Sequence, residues 1–200
     1  MNINDKDYIL DDGKYHKEVY QKTQIVVGHS GRKNMRHFDS WLNRRNGKYK
    51  KTAPFTIDVD GTVYKHFDPK YYSDFLGCDQ DKCNIPIILV NQGWLKLSEM
   101  NVYVDWLGHI YSKDVKPVER NWRDHRYWAK YTDEQFNSLK ELISSLCEEF
   151  KIEKEVISNN VYNEDIDLFK GITSTDRRET ALTEICKEWV NKTLPKRRVA

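Results

Sequence analysis

Six histidines and four cysteines are the residues of this 200-residue chain best suited to chemistry. Imidazole nitrogen and thiolate sulfur are the usual ligands of a tetrahedral zinc ion, which needs several of them converging from different elements. Cys78 and Cys83 have four residues between them and flank a polar loop. They lack an obvious second pair, so they read as free thiols that would pair only under oxidation. Cys147 falls on the inner face of a predicted helix. His29 closes a β-branched run, and a histidine at a strand end can reach into a groove. His16 and His37 lie in surface-like segments, while His66, His109 and His125 fall after a hairpin or within an aromatic-rich stretch. These five are expected to be ordinary surface or core histidines rather than ligands.

The elements that must position these groups are centred on residues 54–91. Phe55 to Val59 and Thr62 to Tyr64 are β-branched, alternating runs around Asp60-Gly61, a strong hairpin signal because glycine tolerates positive φ. Ile85 to Val90 follows as a nearly all-apolar run, which suits a strand covered on both faces, with Pro86 tolerable near a strand start or on an edge. Upstream, Gln24 to Val27 is a short strand ended by Gly28-His29-Ser30-Gly31. Phe38, Trp41 and Leu42 then have the spacing of a short amphipathic helix over 37–45, closed by Asn46-Gly47.

Downstream, residues 98–131 carry Tyr103, Trp106, Tyr111, Trp122, Tyr127, Trp128 and Tyr131. A stretch this long either has strands of its own or forms a binding face, and its rings serve either a core or a ligand. Residues 102–104 and 109–111 suit a second hairpin. The strongest helix runs over 133–150, with Thr132 and Gln135 as a capping box and Leu139, Leu142, Ile143, Leu146, Cys147 and Phe150 on one stripe. A second helix is expected over 178–192. The chain thus divides into an arm (1–22), one domain (23–192) and a basic tail (193–200).

Composition narrows the partners. Lys plus Arg number 33 against 31 for Asp plus Glu, a net charge of +2 that argues for neither nucleic acid nor an anionic membrane. No run approaches the ~20 apolar residues of a membrane span. The polar, acidic start lacks the pattern of a signal peptide, so a cytoplasmic location is expected.

Six blocks in order resemble the zinc-dependent N-acetylmuramoyl-L-alanine amidases, whose fold is shared with peptidoglycan recognition proteins and many bacteriophage endolysins. They are KEVYQKTQIVVGHSG, PFTIDVDGTVYKHFD, KYYSDFLG, NIPIILVNQGWL, WRDHRYWAKYTDEQFNSLKELISSLCEEFKI and FKGITSTDRRETALTEICKEW. The resemblance implies an α/β single domain, a mixed central β-sheet flanked by helices with a groove above the sheet. In that family two histidines and a third side chain hold a zinc ion that activates water.

Here the family's functional positions are changed. The first ligand position matches Gly28, with His29 one place late and so turned to the other face. Thr175 stands where the second histidine is expected, and Leu182 matches the third ligand, with Glu184 nearby. Ala53, Phe75 and Ile88 stand in place of the histidine or tyrosine before the hairpin, the histidine of the following segment and the acid of the buried strand. His29, Asp74, Asn91, Trp94 and Glu184 remain as groove candidates.

The expectation is therefore an amidase-like protein without zinc chemistry and with no cofactor. It would bind a peptidoglycan fragment or another phage or virion protein, or serve as a virion or tail subunit. The alternative is an active amidase with a rearranged zinc site using His29, Glu184 and a ligand from a loop. A phage origin is inferred from the compact domain, the missing signal peptide and the richness in Lys, Asn and Tyr. It places the protein in the infected bacterium's cytoplasm or in the virion.

Overall fold

The computed structural model describes residues 2–111, 116–122, 124–156 and 169–174, with 120–122 and 174 described by their backbone. Thr175, Leu182, Glu184 and the helix expected over 178–192 lie outside these residues. In chain order the strands are β1 (Ile3–Asn4), β2 (Gln24–His29), β3 (Phe55–Ile57), β4 (Val63–Lys65), β5 (Asn84–Leu89), β6 (Trp94–Leu97), β7 (Tyr103–Val104), β8 (Val118–Trp122), β9 (His125–Trp128) and β10 (Gly171–Ser174). The helices of the described residues are α1 (His37–Asn43) and α2 (Asp133–Phe150), besides short 3₁₀ turns.

Six strands form a mixed sheet in the order β1-β4-β3-β5-β2-β10. All neighbours run parallel except the β3–β4 hairpin. β5 is central and buried along its whole length, as its apolar run implies. Pro86 lies near its start, opposite Val26 of β2. β3 joins β5 only from Ile87 onward, so the proline has a strand partner on one side alone. The hairpin turn is longer than the two-residue turn expected: the Gly61 amide donates to the Asp58 carbonyl at 3.0 Å and the Asp58 amide to the Thr62 carbonyl at 2.9 Å. Gly61 holds φ +83° there.

Alternation along the strands sorts the two faces. Ile25, Val27, Ile57, Ile85, Ile87 and Leu89 pack with Leu139, Leu142, Ile143 and Leu146 of α2. Burying each such side chain contributes roughly 1.5–3 kcal/mol. α2 begins as its sequence dictates: Thr132 Oγ1 accepts from the Gln135 amide at 3.1 Å, and Gln135 Oε1 accepts from the Thr132 amide at 3.2 Å. It ends at Lys151, which is in the left-handed region.

On the opposite face Ile88 lies among Leu10, Tyr15, Phe38, Trp41, Ala53 and Phe67. α1 supplies Phe38 and Trp41; residues 1–22 supply Leu10, Tyr15 and the edge strand β1, which pairs with β4. Ile9, Val19 and Tyr20 of that segment stay exposed. Lys14 fixes α1 in place, its buried ammonium donating to the carbonyls of Trp41, Leu42 and Gly47 at 3.1, 2.6 and 2.8 Å.

The aromatic stretch folds as a four-stranded antiparallel sheet, β7-β6-β9-β8, around Leu95, Tyr111 and Ala129. The expected second hairpin is present, with the Tyr111 amide donating to the Tyr103 carbonyl and Val104 bridging Ile110. Tyr111 and Tyr131 are buried, whereas Trp106 is half exposed. Among the described residues no helix is long and apolar enough to cross a membrane.

Candidate functional site

The parallel register places the C-terminal halves of β2, β5 and β3 side by side. Gly28 and Thr56 each face Ile88, from opposite sides. These three therefore stand abreast on the face that carries α1. The site is fixed by strand register: each position lies one step beyond a residue packed under α2, so its side chain turns the other way.

Ile88 is 5% exposed and shut into the apolar cluster beneath α1, where Ala53 is also buried and Phe75 packs from the edge. Ala53, Phe75 and Ile88 thus belong to one apolar cluster, with Gly28 beside Ile88 in the register. His29 pairs with Leu89 in the register and so takes the opposite side of β2. Its Nδ1 accepts from the Gly31 amide at 3.2 Å, and its ring lies so close to Gly93 that a Cβ there would stand 3.2 Å from Cε1.

Asn91 is occupied in shaping the exit of β5. Its Oδ1 accepts from the Gly93 amide at 2.8 Å, and its Nδ2 donates to the Ala129 carbonyl at 3.3 Å. Trp94 stacks on His125, ring centroids 4.0 Å apart. Asp74 accepts from His16 Nε2 at 2.9 Å. Of the groove candidates, then, the structure gathers His29 and Asn91 around Gly93, and gives Trp94 and Asp74 partners of their own.

Three polar residues outside the groove candidates occupy the α1 face. His66 Nε2 lies 2.8 Å and His37 Nε2 3.2 Å from Thr56 Oγ1, and His66 Nδ1 lies 2.6 Å from the Tyr8 carbonyl. His66 is 0% and His37 6% exposed, so His37 is not the surface residue its segment suggested. Burial pushes both imidazoles down to about 4. The Tyr8 carbonyl opposes that shift at His66, and the Asn34 backbone and Asp39 oppose it at His37. The available signal was position: His37 lies four residues before Trp41, hence on the same helical stripe.

Thr56 offers a hydroxyl oxygen beside Ile88, and that oxygen is already engaged by both imidazoles. Among the described residues no three His, Cys, Asp or Glu side chains converge as a metal site. The described donors of this face do not make up a zinc site.

A cavity of about 340 Å³ opens at the C-terminal ends of β3 and β5, bordered by Lys33, Val90, Asn91, Gln92, Tyr111 and Tyr131. Its size and its mixture of apolar walls, amides and ammonium groups suit a small polar ligand.

Several solved structures have a similar fold. N-acetylmuramoyl-L-alanine amidase LysC from Clostridium intestinale URNW gives a TM-score of 0.50 at 14% identity, covering 94% of this chain and 97% of that one. A mutant form of PlyL gives 0.53 at 8% identity, covering 96% and 98%. Staphylococcus aureus hydrolase AmiA in complex with its ligand gives 0.50 at 10% identity, covering 91% and 68%. Identities this low establish a likeness of fold. No protein-family model matches the sequence, and no curated protein does.

Proposed function

We propose that this chain is a binding protein built on the amidase scaffold, taking a muramyl peptide or a similar peptidoglycan fragment without hydrolysing it. The observation that carries the reading is the row Gly28, Ile88, Thr56: a residue with no side chain, a buried aliphatic one, and a hydroxyl held by two neutral histidines. None of these can bind zinc or activate a water there. The fold likeness to LysC supports the substrate class, and the cavity beside Asn91 supplies room for a fragment. Action in the virion or in an infected bacterium, with a phage protein as partner, belongs to the same reading.

Calorimetric titration of the purified chain with muramyl dipeptide and larger muropeptides tests this. Saturable binding is expected, weakened by Asn91→Ala and unaccompanied by release of the peptide from the sugar. Cleavage between N-acetylmuramic acid and L-alanine by the native chain would overturn the proposal in favour of an active amidase. Absence of binding to every muropeptide would overturn the ligand class.

A further inference from the structure

His66 and His37 are buried titratable groups that join separate elements through Thr56. His66 follows β4, Thr56 lies in β3, His37 opens α1, and the Tyr8 carbonyl belongs to the N-terminal segment. The proton order follows from the acceptors. A carbonyl only accepts, so His66 Nδ1 carries the proton and its Nε2 is a bare acceptor. Thr56 must then donate its hydroxyl proton to His66 Nε2, which leaves its oxygen to accept from His37 Nε2. His37 Nδ1 makes no well-formed hydrogen bond, although the Asn34 backbone raises the proton affinity of the ring.

This order exists only while both rings are neutral. A proton added to His66 Nε2 aims two ring N–H donors at one oxygen and strips the Thr56 proton of its acceptor. With both rings charged, like charges face each other beside Phe38 and Trp41, whose rings lie 5.3 and 5.4 Å from His66. The charged groups felt by His37 are Asp39 on α1 and Arg32 before it, of opposite effect; His66 feels His37. Tyr8 packs against Phe38 and Tyr64 from the N-terminal segment, with Arg36, Asp39 and Asp58 lining the small cavity beside it.

We propose that the His66–Thr56–His37 chain is an acid-sensitive latch, which fastens residues 8–10 and α1 over the sheet at neutral pH and releases them when the rings take up protons. The hold on the segment is local: besides the Tyr8 carbonyl, the Leu10 amide donates to the His66 carbonyl at 3.0 Å, and Leu10 covers Ile88. Opening the latch uncovers the face that carries Gly28, Thr56 and Ile88.

The test is hydrogen exchange of the Leu10 amide between pH 7 and 4, corrected for intrinsic rates. Burial lowers each ring from 6.5 to about 4, so protection is expected to fall by ~100-fold per ring across that window. The Leu142 amide of α2, buried in the main core, is expected to stay better protected than Leu10 at every pH of that window. His66→Asn, which can still donate to Tyr8 but cannot titrate, is expected to remove about half of the logarithmic dependence, leaving the share of His37. Should that variant fail to fold, imidazole nitrogen spectra of the native chain decide: Nδ1–H on His66 and Nε2–H on His37 at pH 7 support the latch. Either ring in the opposite tautomer, or Leu10 protection unchanged while both rings titrate, would overturn it.

Discussion

Replacing Lys14 by methionine tests how α1 is held over the sheet. The ammonium donates to three carbonyls, of Trp41, Leu42 and Gly47, at the open end of the helix. Hydrogen bonds from a charged group are worth ~1.5–3 kcal/mol each on deletion, so the gross loss is roughly 5–9 kcal/mol. Two effects reduce it. Methionine also removes the desolvation cost of the ammonium of a lysine that is 7% exposed, which amounts to several kcal/mol. The Leu42 and Gly47 residues are half-buried, so their carbonyls can turn to water, whereas Trp41 is buried. The net expectation is a loss of about 2–3 kcal/mol, or roughly 5–10 °C in Tm for a chain of this size. Urea unfolding followed by tryptophan fluorescence measures it, with a lower midpoint at unchanged slope. A loss below ~0.5 kcal/mol, the scale of an ordinary surface substitution, would refute the reasoning.

Other perturbations have equally definite outcomes. Thr132→Ala removes the α2 cap and the bond from Oγ1 to the Val59 carbonyl; a thermal melt should show a loss of ~1–2 kcal/mol, and an unchanged melt contradicts the cap. Gly61→Ala places a Cβ 2.9 Å from the Glu134 carbonyl at φ +83°; chemical denaturation should register at least ~2 kcal/mol, and a neutral result would mean that the hairpin does not rest on α2. Acid should weaken the fold through His37 and His66, whose pKa values drop from 6.5 unfolded to about 4 folded. Their contribution is complete above pH 6.5 and lost as pH falls towards 4, because the unfolded chain then binds more protons. The loss amounts to about 3–6 kcal/mol for the two rings together, and a stability flat from pH 7 to 4.5 would contradict it.

What the sequence disclosed was governed by local chemistry. α2 spans the expected residues because Thr132, Gln135 and a regular apolar stripe each act within a turn or two of the helix. β2 and β5 follow from their β-branched runs, and the register between them gives Gly28 and Ile88 adjacent places. The four-stranded sheet was less legible. β8 and β9 pair through an irregular register, and their alternation is blurred by charged residues such as Glu119 and Arg126, which pair with each other at the surface. The Thr56 network was missed for a different reason: its members are far apart in sequence, and a histidine one step past a strand shows no periodicity of its own. Only the closing of α1 and the N-terminal segment over the sheet buries His37 and His66 and lowers their proton affinity.

Metal analysis of the purified chain, joined to a cell-wall hydrolysis assay, distinguishes a zinc-free binding protein from a zinc amidase. The purified chain is expected to gain no amidase activity on zinc addition and to hold no stoichiometric zinc after dialysis. Finding about one zinc per chain, with loss of wall hydrolysis on chelation and recovery on its return, would contradict it.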